Sequence, residues 1–264
     1  AIICAVKRKA LAMNFESNKL LSLYLKKLIP IGMGSCGECF LNPKTNQVFK
    51  IFNQFFEEEE GFSYEEEYAE YDEKEILRFA NIKAPSFIFA NNIITVNGHI
   101  VGYISKYANA KRLNQINPLI ISLEKLKRAI LEVYNSLQIV SNEGIKTYDM
   151  MYNILYHNKF YIIDQDEYSY NDMDNKKLYN YNRANFDQEI YYFLIEAYLD
   201  EFISQDARLK EMFGNREVDV LTFISELQSK LSERVQKPVS KLSDAKPVLN
   251  KQKVKKPFYV RDLF

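Results

Sequence analysis

Gly32, Gly34 and Gly37 stand in a G-x-G-x-x-G spacing inside "PIGMGSCGECFLNPKTNQVFKIF", and Lys50 follows the last of them by thirteen residues. Glycine has no Cβ, so this spacing lets backbone N–H groups come close to a phosphate, and a lysine adds the charge a polyanion needs. Two familiar nucleotide folds are excluded by context. In a dinucleotide-binding fold the third glycine opens a helix, whereas Gly37 leads through Glu38-Cys39-Phe40-Leu41 into the turn signal Asn42-Pro43-Lys44-Thr45-Asn46. The phosphate loop of the other fold ends in Gly-Lys-Ser/Thr, and this one does not. What remains is a hairpin with glycines at one turn and a lysine on the returning strand. Cys36-x-x-Cys39 shares the loop, but a structural zinc ion takes four ligands and the chain has only one further cysteine and two histidines.

The elements that must hold these residues form a strand-rich first part and a helical second part. Two extended segments flank the Asn42–Asn46 turn, a helix is expected at 62–80, and Asn97-Gly98 joins two more strands within "SFIFANNIITVNGHIVGYISKY". Leu123, Leu126, Ile130, Val133 and Leu137 repeat at helical spacing up to a stop at Gly144. Two short strands, "NILYH" and "KFYIID", meet at Asn158, and helices follow near 186–204 and 218–234. The fold class expected is α+β.

Charge is balanced overall, 35 acidic against 35 basic residues, but it is segregated. Glu57 to Glu75 holds eleven carboxylates, while the chain from Lys230 onward holds ten basic residues against three acidic ones. The Lys/Pro-bearing end offers too little apolar surface to offset chain entropy, so residues 236–264 read as a basic mobile tail, suited to an acidic partner, nucleic acid included. No apolar run of spanning length appears, cysteines are few, and the setting expected is soluble and cytoplasmic. Residues 1–25 read as a leader, ahead of Met13, and a helix.

With these elements in order, the chain resembles a divergent bacterial-type protein-kinase-like phosphotransferase over roughly residues 26–205. The resemblance implies a two-lobed fold: a small antiparallel-sheet lobe with one helix, 26–108, and a larger helical catalytic lobe, 109–235. Ile31-Gly32-x-Gly34-x-x-Gly37 resembles the family's glycine loop and Val48-Phe49-Lys50 its lysine-bearing strand, so Lys50 would hold the α/β-phosphates of ATP. Glu73 would fix that lysine by an ion pair. Its choice among many glutamates rests on a helical side shared with Ala69, Ile76, Leu77 and Ala80. Cys39 would pack on the adenine, and backbone groups from Lys106 to Ala108 would meet it as a hinge. "GIKTYDMMYNILYHNKFYIIDQDEY" resembles the catalytic loop and metal-binding strand, with Asp149 as catalytic aspartate and Asn153 and Asp164 as magnesium ligands.

The chain also departs from the family pattern. Three residues, not four, separate Asp149 from Asn153; Thr147-Tyr148 replaces His-Arg; Gln165-Asp166 replaces Phe-Gly. Only 22 residues separate Asp164 from Asp187, which resembles the aspartate opening the large lobe's central helix. The order of motifs implies a kinase of protein Ser/Thr hydroxyls. The short segment after Asp164 resembles kinases of small hydroxylated molecules, of the aminoglycoside or choline type, and the replaced motifs resemble an ATP-binding pseudokinase acting as an interaction module.

Overall fold

The computed structural model describes residues 12–59, 71–148, 150, 152–214 and 218–249, and the chain is mixed α+β. It divides into two units, one of Ala1–Ile82 with Ile88–Ala108, the other of Lys83–Phe87 with Asn109–Phe264. Among the described residues no helix is long and apolar enough to cross a membrane.

The first unit is built on a six-stranded sheet. Its strands are β1 (Met13–Phe15), β2 (Ile29–Gly34), β3 (Gly37–Asn42), β4 (Gln47–Phe52), β5 (Ala90–Val96) and β6 (His99–Lys106), in the order β1-β5-β6-β4-β3-β2. The neighbouring pairs from β2 to β5 are antiparallel, but β1 lies parallel to β5, so the sheet is not the purely antiparallel one expected. Local chemistry sets the turns: Asn46 and Asn97 adopt left-handed φ of 56° and 50°, which asparagine tolerates. α1 (Asn18–Leu25), capped by Ser17, buries Leu21 and Leu25 against Phe49, Ile51, Ile94 and Ile104 on one face of the sheet. The helix expected before residue 26 is thus present as α1, and with Met13 and Phe15 of β1 it joins this unit's core, while residues 1–11 lie outside the described residues. The opposite face carries Phe52, Ile93 and Tyr103, against which α3 (Glu73–Ile76) packs through Ile76.

Two glycines let β4 sit between its neighbours. A Cβ at Gly37 would run into the Ile51 carbonyl, and one at Gly102 into the Lys50 carbonyl. Gly37, the third glycine of the motif, is thus required by strand packing.

A continuous helix over 62–80 does not form in the described part. Residues 60–70 lie outside the described residues, and Asp72 is extended (φ −90°, ψ 125°), its carboxylate capping a new start at Glu73. An aspartate that bonds its own downstream amides competes with helix continuation. α2 (Asn53–Glu59) follows β4 directly.

Among the described residues the second unit combines five α-helices with two small sheets. Its strands are β7 (Lys111–Arg112), β8 (Ile145–Lys146), β9 (Ile154–Tyr156), β10 (Phe160–Ile162) and β11 (Ser169–Tyr170). They pair as β10-β9-β7 and β11-β8. Its helices are α4 (Leu123–Asn142), α5 (Asn175–Ile190), α6 (Ala197–Gln205), α7 (Ala207–Gly214) and α8 (Val220–Val235), with a π-helical turn Tyr191–Glu196 after α5. α5 starts eleven residues before the expected 186. Its N-cap Asp174 accepts from the Lys176 and Lys177 amides, a local signal strong enough to nucleate a polar first turn.

The expected mobile arm is folded over its first fourteen residues, 236–249. Val239, Leu242 and Ala245 are buried, the Leu123 amide donates to the Ser240 carbonyl, and Asp244 Oδ2 accepts from Ser240 N, Ser240 Oγ and Lys241 N. Three apolar anchors and a satisfied backbone override the Lys/Pro composition; 250–264 lie outside the described residues. Truncating Leu242 to alanine is therefore expected to cost about 2–5 kcal/mol of stability in urea denaturation, the range of a buried leucine, where a mobile tail would give none.

Candidate functional site

The first unit aligns its candidate residues in one row. Gly32 pairs with Cys39, Cys39 with Lys50, and Lys50 with Tyr103, across β2, β3, β4 and β6. Paired residues share a sheet face, so Lys50 rises beside two small residues on one side and an aromatic ring on the other. Its Nζ lies 5.6 Å from the Tyr103 ring centroid, and the residue is only 7% exposed. Val48, two residues earlier, shares that face. Ile31, Gly32 and Gly34 lie on β2, every residue of which is exposed, with a register shift between Pro30 and Gly32 at Ile31. Asn53 Nδ2 donates to the Ser35 carbonyl and ties down the loop tip.

Glu73 does not join this row. It stands exposed in the first turn of α3, and no ion pair links it to Lys50 among the described residues. The helical side expected to carry Glu73 inward is broken at Asp72, so α3 turns Ile76 to the core and leaves Glu73 in solvent. At the expected hinge, Lys106 is exposed and Ala108 buried. The amide between them, on Tyr107, donates to the Asn46 carbonyl.

In the second unit the β9–β10 hairpin places two oxygen-bearing side chains at its open end. The Ile163 amide donates to the Asn153 carbonyl at 3.0 Å, one step beyond the Ile154–Ile162 pair, so Asn153 and Asp164 emerge from adjacent strand ends. Both are half-buried. Tyr152 and Asp164 hold left-handed φ of 64° and 65°. For a tyrosine that conformation costs on the order of 1–2 kcal/mol, and such outliers cluster where geometry serves a site. Asp149 and Met151 lie outside the described residues. Among the described residues no three His, Cys, Asp or Glu side chains converge as a metal cage. A carboxylate and an amide oxygen at one hairpin end suit a hard cation such as magnesium, which keeps most of its shell as water or phosphate.

The residue that holds this loop was not among the candidates. Asn182 of α5 is fully buried; its Oδ1 accepts from Thr147 N and Thr147 Oγ1 at 2.9 Å each, and its Nδ2 donates to Ser141 Oγ at 2.9 Å and the Ile145 carbonyl at 2.8 Å. Asn185 Nδ2 adds a bond to the Thr147 carbonyl. The signal was present in the sequence. Leu178, Asn182, Phe186 and Ile190 repeat every four residues, and an asparagine on an apolar stripe must find partners.

Asp187, expected to open a central helix, instead lies near the end of α5 and serves a different joint. Its Oδ1 accepts from Tyr134 Oη of α4 at 2.7 Å, and its Oδ2 from the Val220 amide at the start of α8 at 3.3 Å, with Arg183 Nε 3.8 Å away. Burial pushes its carboxyl up to about 7, against the opposing pull of Tyr134, Arg183 and the Val220 amide. Beside the loop, Lys146 Nζ rests over the rings of Tyr148 and Tyr181, at 4.6 and 4.4 Å.

Compared with known proteins, the chain matches no family model and no curated protein.

Two outcomes are expected here. Asn182→Ala strands the Thr147 amide and the Ile145 carbonyl in the interior, and urea unfolding should register a loss of about 3 kcal/mol or more. Asp187 keeps its proton to about pH 7 when folded but releases it near 3.8 when unfolded. Its contribution is therefore full below about 3.8 and is lost as pH rises through about 7, on the order of 4 kcal/mol in all. Stability measured from pH 4 to 7.5 should fall less steeply in Asp187→Asn than in wild type; equal slopes would assign the pH dependence to other groups.

Proposed function

We propose that the chain is an ATP-dependent phosphotransferase of the two-lobed protein-kinase-like fold, acting on Ser or Thr hydroxyls of a protein. The observation that carries the reading is the β9–β10 hairpin, which presents Asn153 and Asp164 side by side, with a left-handed backbone at the aspartate. The row Gly32–Cys39–Lys50–Tyr103 supports it, because small neighbours leave space along a buried lysine. In this reading Lys50 holds the α/β-phosphates, aided by the Gly32–Gly34 backbone, with Ile31, Val48 and Cys39 against the base. Asn153 and Asp164 would hold magnesium, which when bound offsets the negative charge that spreads over the transferring phosphoryl group. Asp149 orients the acceptor hydroxyl and accepts its proton late in transfer.

A second acceptor class has its own support. α5 begins at Asn175, which leaves ten residues, Gln165–Asp174, after Asp164. So short a segment offers little platform for an extended peptide and suits a small hydroxylated molecule. A non-catalytic nucleotide binder is favoured by one feature, the exposed Glu73 without an ion pair to Lys50.

Thermal melting with Mg-ATP, run beside transfer from labelled ATP, tests the assignment. Wild type is expected to gain stability in proportion to ligand over Kd, about 2.7 kcal/mol at a hundredfold excess. Asp164→Ala should lose that gain. Asp149→Ala should keep it while transfer falls about 10²-fold or more. Wild type that gains stability yet transfers to no acceptor would mark a pseudoenzyme, and no gain at all would remove the nucleotide reading.

A further inference from the structure

The outer face of α4 carries an open cleft of about 250 Å³, lined by Lys125, Arg128, Ala129 and Glu132 and by Asn158. All five belong to the second unit. Lys125 and Arg128 are exposed and three residues apart on one helix, where like charges repel. Neither meets a carboxylate among the described residues: Arg128 Nε donates to the Glu124 carbonyl, while the Glu124 carboxylate pairs with Lys127. Asn158 sits at the hairpin turn with a left-handed φ of 60°, fixed by the His157 amide donating to the Lys159 carbonyl. The same end of the sheet carries further positive charge, since Lys111 pairs with Tyr156 beside the turn.

A cleft of this size with two cations, one amide and one acid is not suited to every anion. The guanidinium fork, the ammonium and the amide approach from two elements, which matches the several terminal oxygens of a phosphate better than the planar pair of a carboxylate. A continuous polyanion would meet Glu132, one turn further along the helix. For a small ligand that carboxylate is an acceptor for a hydroxyl or amine. We propose that this cleft binds a small phosphate monoester, its phosphate on Lys125, Arg128 and Asn158 and its donor-bearing end on Glu132. An occupant would tie α4 to the turn of the hairpin that carries Asn153 and Asp164. None of the five residues belongs to the nucleotide assignment above, so the two readings can fail separately.

Titration calorimetry on the full chain, without nucleotide or magnesium, tests it with O-phosphoserine and inorganic phosphate as probes. Both should bind, O-phosphoserine the tighter, because its amine reaches Glu132. Arg128→Gln should weaken both by about tenfold, the loss of one charge-assisted contact, whereas Lys127→Gln, on the same helix outside the cleft, should change affinity less than about twofold. Glu132→Gln should erase the preference for O-phosphoserine. The proposal is overturned if neither probe binds, if Lys127→Gln weakens binding as much as Arg128→Gln, or if Lys50→Ala removes binding, which would put the phosphate at the glycine-hairpin unit. A preference that survives Glu132→Gln would overturn the placement of the ligand's donor end. All the substituted cleft residues are exposed, so circular dichroism should report folded variants.

Discussion

One buried amide governs the arrangement of the second unit. Asn182 has no exposed surface and uses its oxygen twice and its nitrogen twice, so its whole hydrogen-bonding capacity is spent inside the protein. Its partners come from the end of α4, from β8 and from the first residue of the loop toward Asn153. A neutral amide with every bond made carries little net cost in burial. A misplaced α5 would strand several groups at once. That asymmetry fixes the rotation of α5, and with it the direction in which the chain leaves β8.

Asp187 shows what happens when the buried polar group is ionisable. It lies five residues after Asn182 and joins the same two long helices, with α8 added through the Val220 amide. Burial penalises its charged form more than Tyr134, Arg183 and one amide relieve it. Tyr134 is affected in the same sense: burial first, then the neighbouring Asp187 charge, push its hydroxyl up. The joint is therefore strongest with the Asp187 carboxyl and the Tyr134 hydroxyl both protonated. The asparagine joint at the loop is indifferent to pH, and the carboxylate joint at the far end of α5 is not.

What could be read from sequence follows the range of the interactions. The turns at Asn42–Asn46 and Asn97-Gly98, the stop of α4 before Gly144 and the course of α8 all rest on signals within a few residues, and these were legible. β1 was not, because a three-residue strand paired in parallel with β5 has no local signature. The fold of 236–249 was missed since three apolar anchors at uneven spacing hide within a Lys/Pro composition. Among candidate residues, Lys50 lies on β4 as its strand pattern implied, and Asn153 and Asp164 flank the β9–β10 hairpin. Glu73 was misjudged, since a helical side was extended through Asp72, which breaks it. Asn182 was overlooked although the Leu178–Phe186–Ile190 stripe marked it.

The backbone around Asn153 ties these threads together. Tyr152 and Asp164 both occupy left-handed conformations, and a single hydrogen bond from Ile163 to Asn153 lies between them. Two unfavourable residues persist only where the surroundings leave the chain no alternative. Upstream, Asn182 and Asn185 hold Thr147; downstream, the Ile162 amide donates to the Ser86 carbonyl and the Tyr168 amide to the Gln165 carbonyl. The Tyr152 ring is partly exposed, with one edge contact to Phe193 at 5.9 Å that offsets only part of the backbone cost. Backbone preference alone would favour a glycine or asparagine at that position, so the surrounding bonds hold Tyr152 against its own conformational preference.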